Sequence, residues 1–309
     1  MTTTQINPPI GLASRLVNTI LSIEPLAKFA KTRARNMMIK RAESIGVPWR
    51  ENFNKLRDRN WEREIAAVED RQLQYPDYYL TSFHAYETGN LSWEAAWEVE
   101  SAALAVHAKI WSSGDIQGDS QLRQSYHRIL QKQLKIEPQS ILDIGCGVGM
   151  SSFALQKIYP QAEITGVDLS PYFLAVAKYR NQEKGKQINW VHAAAESTGL
   201  PSASFDLVSA CLVFHELPQT AAKEIFIEAR RLLRPGGYLA IMDMNPRSPV
   251  FQQMPPFILT LLKSTEPYLD RYFTLDLKSA SIEAGFTNPH IEINSPRHRT
   301  IVTRVADEL

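Results

Sequence analysis

Residues 141–149 read Ile-Leu-Asp-Ile-Gly-Cys-Gly-Val-Gly, and the fold follows from how that stretch must be built. An apolar run closes on an acid, glycines then take alternate positions, and Met150-Ser151-Ser152-Phe153-Ala154-Leu155 opens a helical pattern. This order describes a buried strand, a tight turn free of large side chains, and a helix N-terminus. Glycine adopts φ > 0 freely and lets a ligand reach the main chain, while unpaired N–H groups at a helix start favour a carboxylate or phosphate. The dinucleotide spacing G-x-G-x-x-G fails in both registers. Counting from Gly145, Met150 stands where the third glycine belongs; counting from Gly147, Ser152 does.

The chain that follows repeats the alternation of strand and helix. Ala162-Glu163-Ile164-Thr165-Gly166-Val167-Asp168 reads as a second strand ending in an acid, 19 residues beyond Gly149. An acid at that distance in a doubly wound sheet accepts from ribose hydroxyls. Ser170 then suits an N-cap and Pro171 the first helical position, where a missing N–H costs nothing. A third strand is expected over Ile188–Ala193 and a fourth over Ser204–Phe214. After them come a helix with Ala222, Ile225, Phe226, Ala229, Leu232 and Leu233 on one face, and a strand entered through Arg234-Pro235-Gly236-Gly237. Pro-Gly-Gly is read there as a chain reversal.

Asp143, Gly145, Gly147 and Gly149, followed by Asp168 and the Leu233-Arg234-Pro235-Gly236-Gly237 stretch, resemble the motifs of class I S-adenosylmethionine-dependent methyltransferases, in particular the type 11, quinone-biosynthesis-like group. The resemblance covers about residues 120–305 and implies an α/β fold, a doubly wound, seven-stranded Rossmann-like sheet whose last two strands form an antiparallel hairpin. It implies S-adenosyl-L-methionine as cofactor. Asp143 and the three glycines would hold the methionyl and ribose side, Asp168 the ribose, and Leu169 one face of the adenine. Ala194-Ala195-Glu196-Ser197-Thr198-Gly199-Leu200-Pro201 resembles the family loop at the adenine edge, but Ala194 replaces the aspartate that accepts from the adenine amino group. Ala195 and Glu196 are the remaining candidates at that edge. His215, directly after the fourth strand, is the candidate catalytic base, since imidazole titrates near neutral pH; a role in merely orienting the loop is the alternative.

Composition narrows the function classes. Of 309 residues 44% are hydrophobic and 22% charged, with a net charge of +1, so neither disorder nor general nucleic-acid affinity is expected. Two cysteines, Cys146 and Cys211, make no disulfide framework and no metal site, and they suit a reducing, cytoplasmic compartment. No secretory signal and no apolar run of ~20 residues is visible.

The balanced net charge conceals a dipolar N-terminal region. Residues 1–60 carry 11 Lys/Arg against 4 Asp/Glu, and residues 61–120 carry 3 against 11. Residues 1–120 are therefore read as a helical extension and 121–309 as the cofactor-binding domain. Within the extension, residues 8–46 form an amphipathic pattern broken at Pro25 and studded with Lys28, Lys31, Arg33, Arg35, Lys40 and Arg41. Such a helix either packs on the domain or lies peripherally on an anionic membrane surface. Tyr75, Tyr78, Tyr79, Phe83, His84, Tyr86, Trp93 and Trp97 follow, the core of a helical subdomain or a lid over the substrate, with His84 read as a satisfied histidine. Residues 246–275 interrupt the alternation after strand five and are expected to wall an apolar pocket. The expected partner is a small lipophilic or aromatic acceptor (a quinone, a phenol or a lipid-linked acid), with no nucleic acid. A non-catalytic cofactor-binding or assembly protein on the same fold is the other reading.

Overall fold

The computed structural model describes residues 24–84 and 86–306. Four helices come first: α1 (Glu24–Ser44), α2 (Trp49–Arg57), α3 (Glu62–Ala66) and α4 (Trp93–His107). Helix α5 (Gly118–Gln133) crosses the expected boundary at 120/121 and leads into the alternating core. That core runs β1 (Ser140–Ile144), α6 (Met150–Ile158), β2 (Glu163–Asp168), α7 (Pro171–Glu183), β3 (Asn189–His192), β4 (Phe205–Cys211), α8 (Gln219–Leu232) and β5 (Leu233–Met244). Four short helices follow, α9 (Pro249–Gln252), α10 (Pro256–Thr265), α11 (Leu269–Thr274) and α12 (Leu277–Glu283), and then β6 (His290–Ile293) and β7 (His298–Arg304).

The seven strands line up as β3-β2-β1-β4-β5-β7-β6. All pairings are parallel except β5 with β7 and β6 with β7, as the resemblance implied. Strand order turns back between β1 and β4, and ligands of doubly wound sheets bind in the crevice at such a switch point. The central strands are buried on both faces, which explains why Ile141, Leu142, Ile144, Leu207, Val208 and Ile241 form unbroken apolar runs. Helix α8 buries Ala222, Ile225, Phe226, Ala229 and Leu232. Ser170 caps α7 by accepting from the Phe173 N–H, with Pro171 in the first turn.

Two expectations are corrected. Strand β4 ends at Cys211 rather than Phe214, because Leu212 turns to φ 60° and leaves the ladder. Pro235-Gly236-Gly237 does not reverse the chain; β5 already starts at Leu233, and the register slips between Phe205↔Leu233 and Leu207↔Tyr238, a bulge taken up by Gly236 at φ 77°. The expected break at Pro25 falls at the edge of the described residues, where α1 begins at Glu24 with Pro25 in its first turn.

Residues 8–23 of the basic pattern lie outside the described residues. Within α1, Ile39 and Ala42 pack inward with Val47, Trp49 and Ala105. Arg35 pairs with buried Glu98, which also accepts from Trp49 Nε1 at 3.2 Å and Tyr86 Oη at 2.6 Å. Among the described residues no helix is long and apolar enough to cross a membrane.

Candidate active site

The glycine turn sits at the carboxyl end of β1. Gly145, Gly147 and Gly149 have φ of 63°, 53° and 87°, a region other residues enter only at a cost. Neighbours set two of these positions sterically. A Cβ on Gly145 would stand 2.5 Å from Val213 Cγ2, and one on Gly149 would stand 2.8 Å from Trp190 Cη2. Above Gly147 the nearest atom is Phe173 Cδ2 at 3.8 Å, so here the main chain lies open to a ligand.

Asp143 is fully buried beneath this turn. Its Oδ2 accepts from Ser151 Oγ at 2.6 Å and Ser152 Oγ at 2.5 Å, both on the first turn of α6. Burial lifts its pKa to about 6 against those two donors. Its Oδ1 has no hydrogen-bond partner. An orphaned buried carboxylate oxygen costs stability unless something donates to it, which fits the ammonium of an amino-acid ligand.

Asp168 closes β2. Its Oδ2 accepts from Gly147 N at 2.8 Å and its Oδ1 from Ser170 N at 2.8 Å. Burial raises its pKa to about 6, opposed by these amides and by a hydrogen bond from the Tyr79 side chain. Tyr79 thus reaches from the extension to the acid expected to hold a ribose. Leu169 is buried, with its carbonyl 3.0 Å from His192 Nε2. Farther along, Tyr78 Oη donates to Glu196 at 2.8 Å and 3.1 Å, and Ala195 packs against the main core. The glycine turn, Asp168 and Leu169 therefore share one crevice rim, and Glu196 is engaged by the extension.

Past β4 the chain makes a single 3-10 turn, Phe214–Glu216. Leu212 at φ 60° precedes it, backbone strain of the kind that gathers at functional sites. His215 is buried, with Nδ1 2.8 Å from Asp243 Oδ1 and its backbone N–H donating to Asp243 Oδ2 at 3.2 Å. Burial alone would lower the imidazole pKa; the Asp243 charge outweighs it and lifts the value to about 10. At neutral pH this histidine is an imidazolium.

Three further groups meet it. Glu216 Oε1 stands 3.9 Å from His215 Nε2. Burial raises the Glu216 pKa to about 7, with His84 and His215 pulling it down. His84, in the extension at φ 53°, donates its N–H to the Thr265 carbonyl at 2.9 Å and places Nε2 3.0 Å from Glu266 Oε1. Glu266 is buried and its Oε2 is unpartnered. Aromatic rings surround the cluster: Tyr272 packs 6.4 Å from His215, and Tyr78 meets Tyr268 edge-on at 6.3 Å.

The sequence placed His215 here but missed its partners. Asp243 had a local signal, an acid inside the buried run Leu239-Ala240-Ile241-Met242-Asp243-Met244. Tyr79 stood in the aromatic stretch read as a possible lid, without a signal for its bond to Asp168, and Glu266 had none.

A methyltransferase-domain family profile, type 11, matches residues 142–241. An uncharacterized methyltransferase of Synechocystis sp. is 31% identical over 163 residues, which cover 52% of this chain and 74% of the relative. The chain belongs to the class I S-adenosylmethionine-dependent methyltransferases. Its cofactor is S-adenosylmethionine, and of the two readings the sequence left open, enzyme and non-catalytic binder, family membership selects the enzyme. The demethylmenaquinone methyltransferase of Thermus thermophilus is 29% identical over 121 residues, 38% of this chain and 53% of that one, so the methyltransferase spans only about half of this relative's length. Among solved structures, the PH0226 protein of Pyrococcus horikoshii OT3 superposes with a TM-score of 0.50 at 17% identity, over 66% of this chain and 97% of the other, a likeness of fold.

Proposed function

We propose that this methyltransferase moves a methyl group to an oxygen of a small lipophilic aromatic acceptor, such as a reduced quinone, a phenol or a lipid-linked ring. The observation that carries this is the run of rings Tyr79, Tyr78 and Tyr268, in edge contact at 6.5 Å and 6.3 Å and anchored on Asp168 through Tyr79, together with Tyr272 packed 6.4 Å from His215. A quinone-type acceptor is in keeping with the Thermus thermophilus relative, a demethylmenaquinone methyltransferase, whose name speaks to the acceptor's class and not to the atom methylated.

When bound, the cofactor supplies an activated sulfonium methyl, so the protein's work is placement and exclusion of water. In this reading Asp143 and the turn Gly145, Gly147 and Gly149 take the methionyl end, and Asp168 takes the ribose hydroxyls. Leu169 faces the adenine, with Ala195 and Glu196 at its edge. Tyr79 gives up its bond to Asp168 as the ribose arrives. Residues 1–120 then serve as a lid, meeting the 246–275 insertion through His84. His215, held as a cation by Asp243, donates to the acceptor oxygen; with its proton so firmly held it is a donor, not the base expected from sequence.

Titration calorimetry with S-adenosylhomocysteine, alongside a labelled-methyl screen of hydroquinones, phenols, amines and carboxylic acids, tests the reading. The wild type binds S-adenosylhomocysteine and labels hydroquinones or phenols. Asp168→Ala keeps its circular dichroism spectrum but binds at least ~100-fold more weakly, a loss of about 3 kcal/mol. Unchanged affinity in that variant removes Asp168 from the site, and labelling of amines alone defeats the acceptor class.

A further inference from the structure

The acceptor end carries more acid than base. Among the described residues Asp168, Glu216, Asp243 and Glu266 share one electrostatic neighbourhood with His84 and His215; His298 also feels Asp243 and His215, with its own pKa held low chiefly by burial, and Arg299 reaches the neighbourhood through Tyr272. Three of the four carboxyls are engaged. Asp243 is bound to His215 at 2.8 Å, Glu266 to His84 at 3.0 Å, and Asp168 to two backbone amides at 2.8 Å. Glu216 has only a long contact from Asn90 Nδ2 at 3.4 Å and His215 Nε2 at 3.9 Å. It feels the charge of Asp168 as well as those of His84, His215 and Glu266.

We infer that Glu216 takes the proton of the methyl acceptor, and that the reacting atom enters this site as a neutral hydroxyl, never as a carboxylate. The inference rests on the acceptor reading above and sharpens it. A carboxylate entering a pocket rich in carboxyls would meet like charge at short range, which disfavours its ionised form. A neutral hydroxyl meets no such penalty. Its O–H bond breaks as the O–CH3 bond forms, the proton ends on a Glu216 carboxylate oxygen, and the electron pair of the old S–CH3 bond stays on sulfur.

His84 and Glu266 act through Glu216 and are positioning residues. They come from segments on either side of residues 142–241, the stretch the family profile matches, and they are joined to each other by the His84 N–H to Thr265 O bond of 2.9 Å as well as by their side chains. His84 and His215 both draw the Glu216 pKa down, against burial, Glu266 and Asp168, which raise it. The pKa of Glu216 near 7 matches a general base working at neutral pH.

Two measurements on the full chain decide the matter. Infrared difference spectra between acid and neutral pH read the protonated-carboxyl stretch without any acceptor. Asp143 and Asp168 contribute components near pH 6; a separate component near pH 7 that is present in the wild type and missing from Glu216→Gln supports the inference, and an unchanged set of components in that variant overturns it. The kinetic arm compares Glu216→Gln with the wild type on phenols of graded acidity. The expected result is a ~10²–10⁴-fold loss of kcat, with KM and S-adenosylhomocysteine affinity held within a few-fold. That loss should shrink steadily as the phenol becomes more acidic, because an acidic phenol needs less help in losing its proton. His84→Gln should shift the acid limb of the pH–rate profile while leaving kcat at its plateau. Equal losses across all phenols, or wild-type rates in Glu216→Gln, overturn the base role. Carboxylic acids methylated as readily as phenols overturn the neutral-acceptor rule. If the wild type labels no phenol, the acceptor reading of the preceding section falls, and the infrared arm alone settles whether Glu216 is the exchanging carboxyl.

Discussion

Replacing Asp243 by Asn isolates the electrostatic heart of the site, because it removes the charge that holds the His215 proton while keeping size and one hydrogen-bond acceptor. In the folded protein the His215 pKa rises from 6.5 to about 10. At ~1.4 kcal/mol per pH unit that gap corresponds to about 5 kcal/mol net of the cost of burial, with Asp243 the largest attractive contribution and Glu266 and Glu216 adding to it, and breaking a buried pair by removing one partner typically costs about 3–5 kcal/mol. The pH dependence follows from which state binds the proton more tightly. Because the folded value lies above the unfolded one, the stabilisation is complete below pH 6.5 and drains away as pH climbs towards 10. In Asp243→Asn burial, which lowers the imidazole pKa, is opposed only by the lesser pull of Glu266 and Glu216, so the value falls well below that of the wild type. The loss of stability between pH 6.5 and 10 should therefore be largely absent in the variant. Urea unfolding from pH 5 to 10 gives both slopes, and side-chain NMR of His215 gives the pKa itself. A destabilisation under ~1 kcal/mol at pH 6, or an imidazole in the variant still protonated at pH 9, would refute the reasoning.

Two further substitutions probe the scaffold. Tyr126 is fully buried, and its hydroxyl ties α5 to the sheet through Ser209 Oγ at 2.9 Å and the Ala240 carbonyl at 3.2 Å. Tyr126→Phe leaves Ser209 short of a partner and should cost about 1–2 kcal/mol in urea unfolding; a change within ~0.3 kcal/mol would mean the bond contributes nothing. Gly145→Ala drives a methyl to 2.5 Å from Val213 Cγ2 at φ 63°. It should cost about 1–3 kcal/mol of stability and weaken S-adenosylhomocysteine binding. Adding Val213→Ala should recover part of that stability, and no recovery would assign the whole loss to backbone strain.

What the sequence disclosed and what it withheld divide along a physical line. The glycine turn, the Ser170 cap and the Pro171 start were legible because each depends on a few adjacent residues and on φ values that only certain side chains tolerate. The burial of Ala222, Ile225 and Phe226 was legible through helical period. Strand β4 was overrun by three residues because nothing in a leucine announces the left-handed turn at Leu212. The bulge at Gly236 looked like a reversal because Pro-Gly-Gly serves both uses, and only pairing with β4 separates them. His215 could be placed at a strand end, yet its charge state depends on Asp243 in the neighbouring strand, and the His84–Glu266 pair joins segments with five of the seven strands between them in the chain. Such partners are set by register and crossover, which no local pattern encodes.

Helix α10 contains no buried residue, and Phe257, Ile258 and Leu261 stand about 40% exposed upon it. Its hold on the rest of the molecule comes chiefly from Leu262 against the core and from the Thr265 carbonyl that meets His84. Mutations along its outer side therefore carry almost no folding penalty, whereas a change at Gly145 or Asp143 disturbs the centre of the molecule. Variation can accumulate on α10 without being purged for instability, while the glycine turn stays fixed.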